Sequence, residues 1–312
     1  MTELLDQPDG FRSGYVSVIG RPNVGKSTFL NRVLGEKVAA VTPKPQTTRT
    51  KILGVLHRPG VQLIFLDTPG VHRARDLFNK QMVRTALGTL SDADAALMMT
   101  EARTGDQEPG PSEEERLVLR ALARARVPAI LALNKVDLLE DKNQLLPVLD
   151  SWSRVFPFAA MHPISALEGE GVDALLDDVA DRMREGPRYF PLEMYTDATI
   201  RFLVSEIVRE KLMLRLHGEL PYGIAVTVES WEDPTGDDPD PTTHIGAVIH
   251  VERKSQKGIV IGKKGSGLRT IGEQARREIE ELVEGPVYLE LFVRVEKNWS
   301  RDPKALRRLG YR

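Results

Sequence analysis

The first half of the chain contains the stretch Gly20-Arg-Pro-Asn-Val-Gly-Lys-Ser27, which is its strongest indication of fold. It fits the pattern G-x-x-x-x-G-K-[ST], and it lies between an apolar run at residues 15–19 and a helical pattern at residues 26–34. Glycines in such a loop let backbone N–H groups converge on a phosphate, and the N-terminus of the following helix adds positive potential. The alternative is a glycine-rich turn that carries one surface lysine. The strand–loop–helix context favours a phosphate-binding loop.

The residues of this loop have predicted roles at a nucleotide. Lys26 is expected to reach the β- and γ-phosphates, where it takes part in catalysis, and the Ser27 hydroxyl is expected to bind Mg²⁺. The nucleotide-binding residues predicted here are Gly20, Arg21, Pro22, Asn23, Val24, Gly25, Lys26, Ser27 and Thr28.

A second motif, Asp67-Thr-Pro-Gly70, follows an apolar run at residues 61–66. A carboxylate at the end of a strand that faces a phosphate loop can hold Mg²⁺, so Asp67 is a predicted metal ligand. Gly70 lets a backbone N–H approach the γ-phosphate and move when that phosphate leaves. Thr68 and Pro69 complete the predicted nucleotide contacts. The alternative is an ordinary turn, in which Pro-Gly is common.

The polar segment at residues 42–50 lies between these two motifs and has few helix signals. A threonine in a mobile loop can complete the Mg²⁺ shell while the γ-phosphate is present. Thr47 and Thr48 are both candidates, and the sequence does not choose between them. The alternative is a hydrophilic loop without a role. The predicted metal ligands are therefore Ser27, Thr47, Thr48 and Asp67.

The residue after Gly70 is Val71, at a place where a glutamine can orient the attacking water. Valine cannot hydrogen-bond water in that way. We therefore predict that hydrolysis is slow and needs a partner, a cation or a rearranged loop. The predicted catalytic residues are Lys26, Thr47, Thr48, Asp67, Gly70 and Val71.

A third motif, Asn134-Lys-Val-Asp137, follows an apolar run at residues 129–133. Guanine presents two adjacent N–H donors that the carboxylate of Asp137 can accept, whereas adenine would leave this carboxylate without partners. Asn134 is expected to bind the base edge and to tie to the phosphate loop, and Lys135 to lie over the ring. The alternative for this tetrapeptide alone is a strand-to-helix turn.

A fourth motif, Ser165-Ala166, follows the next apolar run. Its backbone N–H groups are predicted to bind guanine O6, with Leu167 beside them. Each short motif is weak alone, but the ordered set, each member at a strand end, predicts a guanine nucleotide site.

The chain is predicted to have two domains, because 312 residues correspond to about two domains of ~150 residues. Strand-like and helix-like segments alternate to about residue 183, which predicts an α/β domain with a mostly parallel sheet and helices on both faces. The second half has the order helix, two strands, two helices, strand, which indicates an α+β domain. We predict a flexible tail at residues 1–13, the first domain at 14–185, a linker at 186–196 and the second domain at 197–312.

Composition excludes several classes of protein. Hydrophobic residues make up 41% and charged residues 28% of the chain, which excludes global disorder. Cysteine is absent, so the chain has no disulfide framework and no thiol nucleophile. No apolar run approaches the ~18 residues that span a bilayer, and residues 1–10 do not resemble a signal peptide. These features fit a cytoplasmic protein.

The segment Gly262-Lys-Lys-Gly265 places a Gly-x-x-Gly turn between two helical patterns. Its glycines permit close approach of a nucleic-acid backbone, and its lysines can meet phosphates. Residues 251–312 contain 15 Lys plus Arg against 9 Asp plus Glu, although the whole chain has a formal net charge of −2. The alternative is a plain turn. The predicted RNA-binding residues are Ile259, Ile261, Gly262, Lys263, Lys264, Gly265 and Arg269.

Together these motifs resemble the Era family of bacterial ribosome-associated GTPases. The resemblance also rests on Gln46-Thr-Thr-Arg49, His72, Tyr189-Phe-Pro191, Glu206-Ile-Val-Arg-Glu-Lys211 and Glu219-Leu-Pro-Tyr222. It implies a P-loop GTPase domain followed by a type II KH domain, and binding near the 3′ end of small-subunit ribosomal RNA during subunit assembly and maturation. It implies a hydrophobic residue at the usual glutamine place, which agrees with Val71. It also implies partial peripheral association with the inner face of the cell membrane.

The sequence therefore predicts a switch that binds and hydrolyses GTP, with GTP or GDP and Mg²⁺ as ligands. Its predicted partners are small-subunit ribosomal RNA and the assembling small subunit, and it is expected to be a monomer. The alternative is a nucleotide-gated RNA-binding chaperone with negligible hydrolysis. The acidic segment at residues 232–241 does not suit an RNA-facing edge, so we expect it to lie away from the RNA-binding groove of the second domain.

Overall fold

The structure is a computed structural model that describes residues 8–72, 77–102, 110–234 and 241–311. The described residues form two compact units. The first comprises residues 8–39, 48–72, 79–102 and 110–197, and the second comprises residues 40–47, 77–78, 198–234 and 241–311. Most of the acidic segment at 232–241 lies outside the described residues.

Seven strands of the described chain form the sheet of the first unit. They are β1 (Arg12–Gly20), β2 (Ile52–Arg58), β3 (Val61–Asp67), β4 (Ala95–Glu101), β5 (Ala129–Asn134), β6 (Ala160–Pro163) and β7 (Arg184–Glu185). Their order is β2-β3-β1-β4-β5-β6, and β7 pairs with β1. Strands β3, β1, β4, β5 and β6 are parallel, whereas β2 and β7 are antiparallel to their partners. The predicted mostly parallel sheet is confirmed.

The strand β2 was not among the apolar runs that the sequence analysis identified. It forms a hairpin with β3 through a turn at Gly60, whose φ of 74° lies in the left-handed region that favours glycine. A hairpin at the sheet edge breaks the strand–helix alternation on which the prediction relied, which explains why the alternation did not reveal it.

The helices that accompany these strands bury one face each. They are α1 (Lys26–Leu34), α2 (Leu77–Gly88), α3 (Glu113–Ala125), α4 (Leu145–Val155) and α5 (Val172–Ala180). Helix α3 begins with a capping box, in which the Ser112 hydroxyl accepts from the Glu115 N–H while the Glu115 side chain accepts from the Ser112 N–H. Such a cap fixes the first turn of α3.

The topology brings the predicted nucleotide motifs to one edge of the sheet. Strands β1, β3, β5 and β6 are parallel, and each is followed directly by one of the four motifs. Ligands of open α/β sheets bind at the carboxyl ends of such strands. The fold therefore assembles the candidate site from segments far apart in sequence.

The second unit packs helices on one face of a three-stranded sheet. Its elements are α6 (Ile200–Arg215), β8 (Ile224–Glu232), β9 (Thr243–Val251), α7 (Lys254–Ile261), α8 (Ser266–Val283), β10 (Val287–Val295) and α9 (Pro303–Arg308). The strand order is β10-β9-β8, with β9 parallel to β10 and antiparallel to β8. Apolar residues of α6, α8 and all three strands share one buried cluster. The predicted α+β order is confirmed.

A buried histidine joins the strands of the second unit. The Nδ1 atom of His250 lies 3.1 Å from Glu296 Oε2, and its Nε2 atom lies 2.9 Å from the Thr227 hydroxyl. A carboxylate only accepts, so Nδ1 carries the proton and Nε2 accepts from Thr227. Burial, together with the nearby charges of Arg294 and Arg308, lowers the pKa of His250 to about 4, although Glu229 acts in the opposite direction.

None of the helices within the described residues combines the length and the apolar character that a membrane-spanning helix needs.

Candidate nucleotide and RNA sites

The phosphate loop has the wrapped backbone that its glycines predict. Asn23 and Gly25 have φ values of 63° and 98°, and helix α1 begins directly afterwards at Lys26. A side chain at Gly25 would collide with the Asn134 amide, so the close approach of these two segments requires glycine. The other predicted loop residues, Arg21, Pro22, Val24 and Thr28, follow the same path between β1 and the first turn of α1.

Lys26 is a buried cation whose described partners are backbone carbonyls. Its Nζ donates to Arg21 O at 2.9 Å and to Gly20 O at 3.3 Å. Burial, with a smaller contribution from Arg21, lowers the pKa of Lys26 to about 8, although the nearby Asp67 carboxylate raises it. A bound phosphate would add negative charge beside this ammonium, so the position suits an anionic ligand.

Three oxygen-bearing side chains meet next to Lys26. The Ser27 hydroxyl donates to Asp67 Oδ2 at 2.8 Å and lies 2.7 Å from the Thr48 hydroxyl. The other carboxylate oxygen of Asp67, Oδ1, is buried and has no hydrogen-bond partner among the described residues. Burial raises the pKa of Asp67, while Lys26 and the bonds from Ser27 and Thr48 lower it. An unpartnered hard oxygen beside two hydroxyls fits Mg²⁺.

Of the two candidate threonines, only Thr48 joins this cluster. The Thr47 hydroxyl donates to Lys44 O at 2.8 Å and lies 2.7 Å from the Thr42 hydroxyl. The carbonyl of Thr47 accepts from Arg209 within the second unit. Neighbouring residues in an extended loop point to opposite sides, which separates the two hydroxyls.

The loop after β3 packs against the phosphate loop. Val71 N–H donates to Gly20 O at 2.9 Å, and a side chain at Gly70 would lie 2.6 Å from backbone atoms of Pro22. The Thr68 hydroxyl donates to Val18 O at 2.8 Å, which anchors the start of this loop next to Pro69. The Val71 side chain is fully buried in the hydrophobic cluster of the first unit. It therefore faces the core rather than solvent.

Asn134 joins three segments of the predicted base site. Its Nδ2 donates to Val24 O at 2.7 Å, and its Oδ1 accepts from Ala166 N–H at 2.8 Å. Lys135 has a φ of 67° and forms an ion pair with Glu101. Asp137 lies in a short 3₁₀ turn, is exposed, and has no hydrogen bond or ion pair among the described residues. Its carboxylate is thus available for an external pair of donors.

The loop after β6 differs from the prediction in one respect. Ser165 N–H donates to Glu170 O at 2.9 Å, and Ala166 N–H donates to Asn134. Neither amide is free to bind guanine O6 in this arrangement, because the loop first satisfies its own turn and the Asn134 side chain. Leu167 follows with a side chain that is 62% exposed.

A chain of charges beside the phosphate loop was missed by sequence reasoning. Arg21 Nε donates to the buried Glu115 at 3.0 Å, and Arg21 also pairs with Glu101, which in turn pairs with Lys135. This chain links the first motif to the third. The Ser112–Glu115 capping-box spacing was a visible sign of a helix start, but it gave no sign that Glu115 would meet Arg21.

In the second unit, the Gly-x-x-Gly turn joins α7 to α8. A side chain at Gly262 would lie 2.8 Å from Gly267 N, and Gly265 has a φ of 79° with open space around it. Lys263 and Lys264 are exposed and have no ion pair among the described residues. The turn therefore presents two cations and little steric bulk, as backbone recognition of nucleic acid requires.

A cavity of about 490 Å³ begins at this turn and lies between α8 and the edge strand β10. Gly265 and Arg269 line it, but the predicted Ile259 and Ile261 do not. Ile261 packs partly into the core, and Ile259 is 62% exposed elsewhere on α7. The cavity is also lined by residues that the sequence analysis did not name, which are Leu268, Gly272, Glu273, Arg276, Val287, Tyr288, Leu289 and Leu291. The apolar stripe of α8 and the alternation of apolar and polar residues along β10 were the sequence patterns that could have indicated these residues.

Comparisons with known families match both halves of the chain. The family described as 50S ribosome-binding GTPase matches residues 15–135, and the KH domain family matches residues 219–300. The first match contains the phosphate loop, Asp67 and Asn134, and the second contains the Gly-x-x-Gly turn.

Individual relatives match nearly the whole chain. GTPase Era of Geotalea uraniireducens is 48% identical over 96% of this chain and 98% of its own length. GTPase Era of Lacticaseibacillus paracasei is 44% identical over 96% of each chain. A crystal structure of Era with MgGDPNP and nucleotides 1506–1542 of 16S ribosomal RNA superposes with a TM-score of 0.91 at 38% identity, covering 96% of this chain and 99% of that one. A single-residue variant of Aquifex aeolicus Era bound to GDP and AlF4⁻ gives 0.90 at 39% identity, with the same coverage.

Proposed function

Because the chain belongs to the Era family of GTPases, we propose that it is a GTP-hydrolysing switch that binds the 3′-terminal region of small-subunit ribosomal RNA during subunit assembly and maturation. The observation that carries this proposal is the meeting of Ser27, Thr48 and Asp67, with one unpartnered carboxylate oxygen, beside the buried Lys26. This cluster lies where four parallel strands end, and its charges suit a magnesium-bound triphosphate.

The proposed roles follow from the chemistry of each side chain. Lys26 holds the phosphates, and Ser27, Thr48 and Asp67 hold Mg²⁺, which supplies positive charge to the phosphate oxygens when bound. Gly70 leaves room for the backbone to approach the γ-phosphate. Of the two threonines, we assign the metal role to Thr48 because Thr47 bonds elsewhere.

Guanine selection is assigned to the third motif. The exposed Asp137 carboxylate accepts the two adjacent guanine donors, and Asn134 keeps the base loop joined to the phosphate loop. The aliphatic stem of Lys135 covers one face of the base. An adenine nucleotide offers no such donor pair and is therefore discriminated against.

RNA binding is assigned to the cavity between α8 and β10. Lys263 and Lys264 face the RNA backbone at the Gly-x-x-Gly turn, and Arg269 adds positive charge along the cavity, where Arg276 is already paired with Glu280. Leu268 and Leu291 supply apolar surface for unstacked bases. The RNA in the related crystal complex is the 16S segment 1506–1542, and we propose the corresponding region as the ligand of this chain.

Three further predictions complete the proposal. We propose a functional division into residues 14–185, a linker at 186–196 and residues 197–312, a cytoplasmic location and a monomeric state. Peripheral membrane association rests on the family resemblance alone.

Phosphate release by the full chain in magnesium buffer tests the proposal. GTP should be hydrolysed at a slow rate that responds to an RNA of the 16S sequence 1506–1542, and ATP should not be hydrolysed. Hydrolysis of ATP at an equal rate would contradict the base assignment. If RNA binding depends on a bound guanine nucleotide but no phosphate is released above the blank, the chaperone alternative is favoured.

A further inference from the structure

A groove on the first unit has no part in either site described above. It lies between the C-terminal half of α2 and helix α3 and encloses about 550 Å³. Its lining residues are Val83, Leu87, Leu90, Ser91, Leu117, Arg120, Ala121, Arg124 and Ala125. We call it the α2–α3 groove.

The floor of the α2–α3 groove is aliphatic. Val83 and Leu87 of α2 and Leu117 of α3 are only partly buried, and they pack against the main hydrophobic cluster of the first unit. On α3, Ala121 and Ala125 follow Leu117 at intervals of four residues, which places them on one face about 6 Å apart along the axis. These small side chains leave room for larger apolar side chains from outside.

The rim of the groove on α3 is positively charged. Arg120 and Arg124 are exposed and one helical turn apart, and neither has an ion pair among the described residues. Other arginines of the first unit, such as Arg12 and Arg58, do form ion pairs with aspartates. The two guanidinium groups are therefore available to carboxylates from a partner.

We propose that the α2–α3 groove binds an acidic amphipathic helix of a partner protein. Such a helix places apolar side chains at positions i, i+4 and i+7 into the groove. Glutamates or aspartates four residues apart on its flank repeat at about 6 Å, which matches the spacing of Arg120 and Arg124. This inference concerns a surface that the nucleotide and RNA sites do not use.

Two other occupants fit the groove less well. A single-stranded RNA would find the arginines, but no aromatic side chain on which bases could stack is among the described residues of the lining. A membrane surface needs apolar side chains that project outward, whereas Leu90 is 2% exposed and the other leucines are partly buried. A protein helix can insert side chains into the recess.

The groove and the loop after β3 contribute residues to the same hydrophobic cluster. Leu90 and the partly buried Val83 and Leu87 share one hydrophobic cluster with Val71, which follows Gly70. Binding should therefore be measured in a defined nucleotide state, with the full chain bound to a non-hydrolysable GTP analogue.

Three designed peptides provide the probes. The first is a helix-stapled peptide of about 18 residues with leucines at i, i+4, i+7 and i+11 and glutamates on both flanks, and the second has lysines in place of the glutamates. A third peptide keeps the glutamates but has serines for the leucines. Binding is measured by fluorescence anisotropy to the wild type, to Arg120→Glu/Arg124→Glu, and to Lys80→Glu/Arg154→Glu, which makes the same charge change at exposed positions outside the groove.

The glutamate–leucine peptide should bind the wild type and the control variant equally, and Arg120→Glu/Arg124→Glu at least about tenfold more weakly. The lysine–leucine peptide should prefer the charge-reversed variant, which also shows that this variant is folded. The inference is overturned if the glutamate–leucine peptide does not bind the wild type. It is also overturned if the charge reversal has no effect, or if the serine peptide binds as tightly as the leucine peptide.

Discussion

Asp137 is an exposed carboxylate in the short 3₁₀ turn that follows the buried strand β5, and its assigned partner is the guanine base. Asp137→Asn replaces one acceptor oxygen by a donor, so it should weaken GTP binding by about 10²–10³-fold and favour xanthosine triphosphate, which presents an oxygen at that place. Competition binding with the two nucleotides measures this. Asp141→Asn, at an exposed position farther along the chain, should leave the preference for GTP unchanged. An unchanged guanine preference in Asp137→Asn would refute the base assignment.

Val71 stands where a glutamine could orient water, but its side chain is buried in the core. Val71→Gln should therefore not accelerate hydrolysis, because the amide would lie in the hydrophobic cluster. It should lower the free energy of unfolding by about 1–3 kcal/mol, since a buried amide without a partner is costly. Single-turnover phosphate release and urea unfolding measure the two effects, with Val71→Ile as the control. A glutamine variant of normal stability that hydrolyses GTP faster would contradict the buried placement.

Sequence patterns identified individual residues well where the chemistry depends on residue type and spacing. Lys26, Ser27 and Asp67 come together as their motifs predicted. The choice between Thr47 and Thr48 could not be made, because it depends on which way two adjacent side chains point. The hydrogen bonds of the Ser165 and Ala166 amides could not be predicted either, because every residue type except proline has the same backbone N–H and the sequence does not show what it binds.

His250 joins strands β8 and β9 to the segment after β10. Its pKa is about 4 in the folded state, against an ordinary value of 6.5. The unfolded chain therefore binds a proton first as the pH falls, so folding stability should decrease between about pH 6.5 and pH 4, by about 1–3 kcal/mol. His250→Gln should reduce this loss, whereas His244→Gln, at an exposed position of the same strand, should not. Urea unfolding across this pH range measures it, and identical pH profiles for His250→Gln and the wild type would contradict the account.

The Gly-x-x-Gly turn is the element on which RNA binding is proposed to depend. Gly265→Asp places a carboxylate beside Lys263 and Lys264 at a backbone position with φ of 79°. It should weaken binding of the 16S-derived RNA by more than about tenfold and leave intrinsic hydrolysis nearly unchanged. Gly218→Asp is a matched control, because Gly218 also has a positive φ, 63°, and open surroundings. Filter binding measures the RNA affinity. If Gly265→Asp keeps the affinity of the wild type, the assignment of RNA binding to this turn is overturned.

Elements were predictable where one periodicity dominates. Helix α3 carries an apolar stripe and β10 alternates apolar with polar residues, so a single periodicity in the sequence marks each element. Strand β2 was missed because a hairpin interrupts the strand–helix alternation. The predicted RNA-binding residues Ile259 and Ile261 of α7 do not line the cavity between α8 and β10, and the sequence does not tell which strand lies at the sheet edge.

The chain is nearly neutral as a whole, but residues 251–312 form a basic segment. The formal net charge is −2, yet residues 251–312 have a surplus of Lys and Arg. Charge of this kind acts locally, so RNA affinity should depend on salt while GTP affinity depends mainly on Mg²⁺. Composition could exclude a uniformly basic protein, but only the folded arrangement shows which lysines face outward at the turn.

Calorimetric titration of the full chain with GTP, and separately with ATP, in magnesium buffer measures whether the strand ends form a guanine nucleotide site. Such a site should take up one GTP per chain in a saturable way, lose this uptake when Mg²⁺ is chelated, and give no comparable heat with ATP. Absence of GTP uptake, or equal uptake of ATP, would contradict the claim that the strand ends form one guanine nucleotide site.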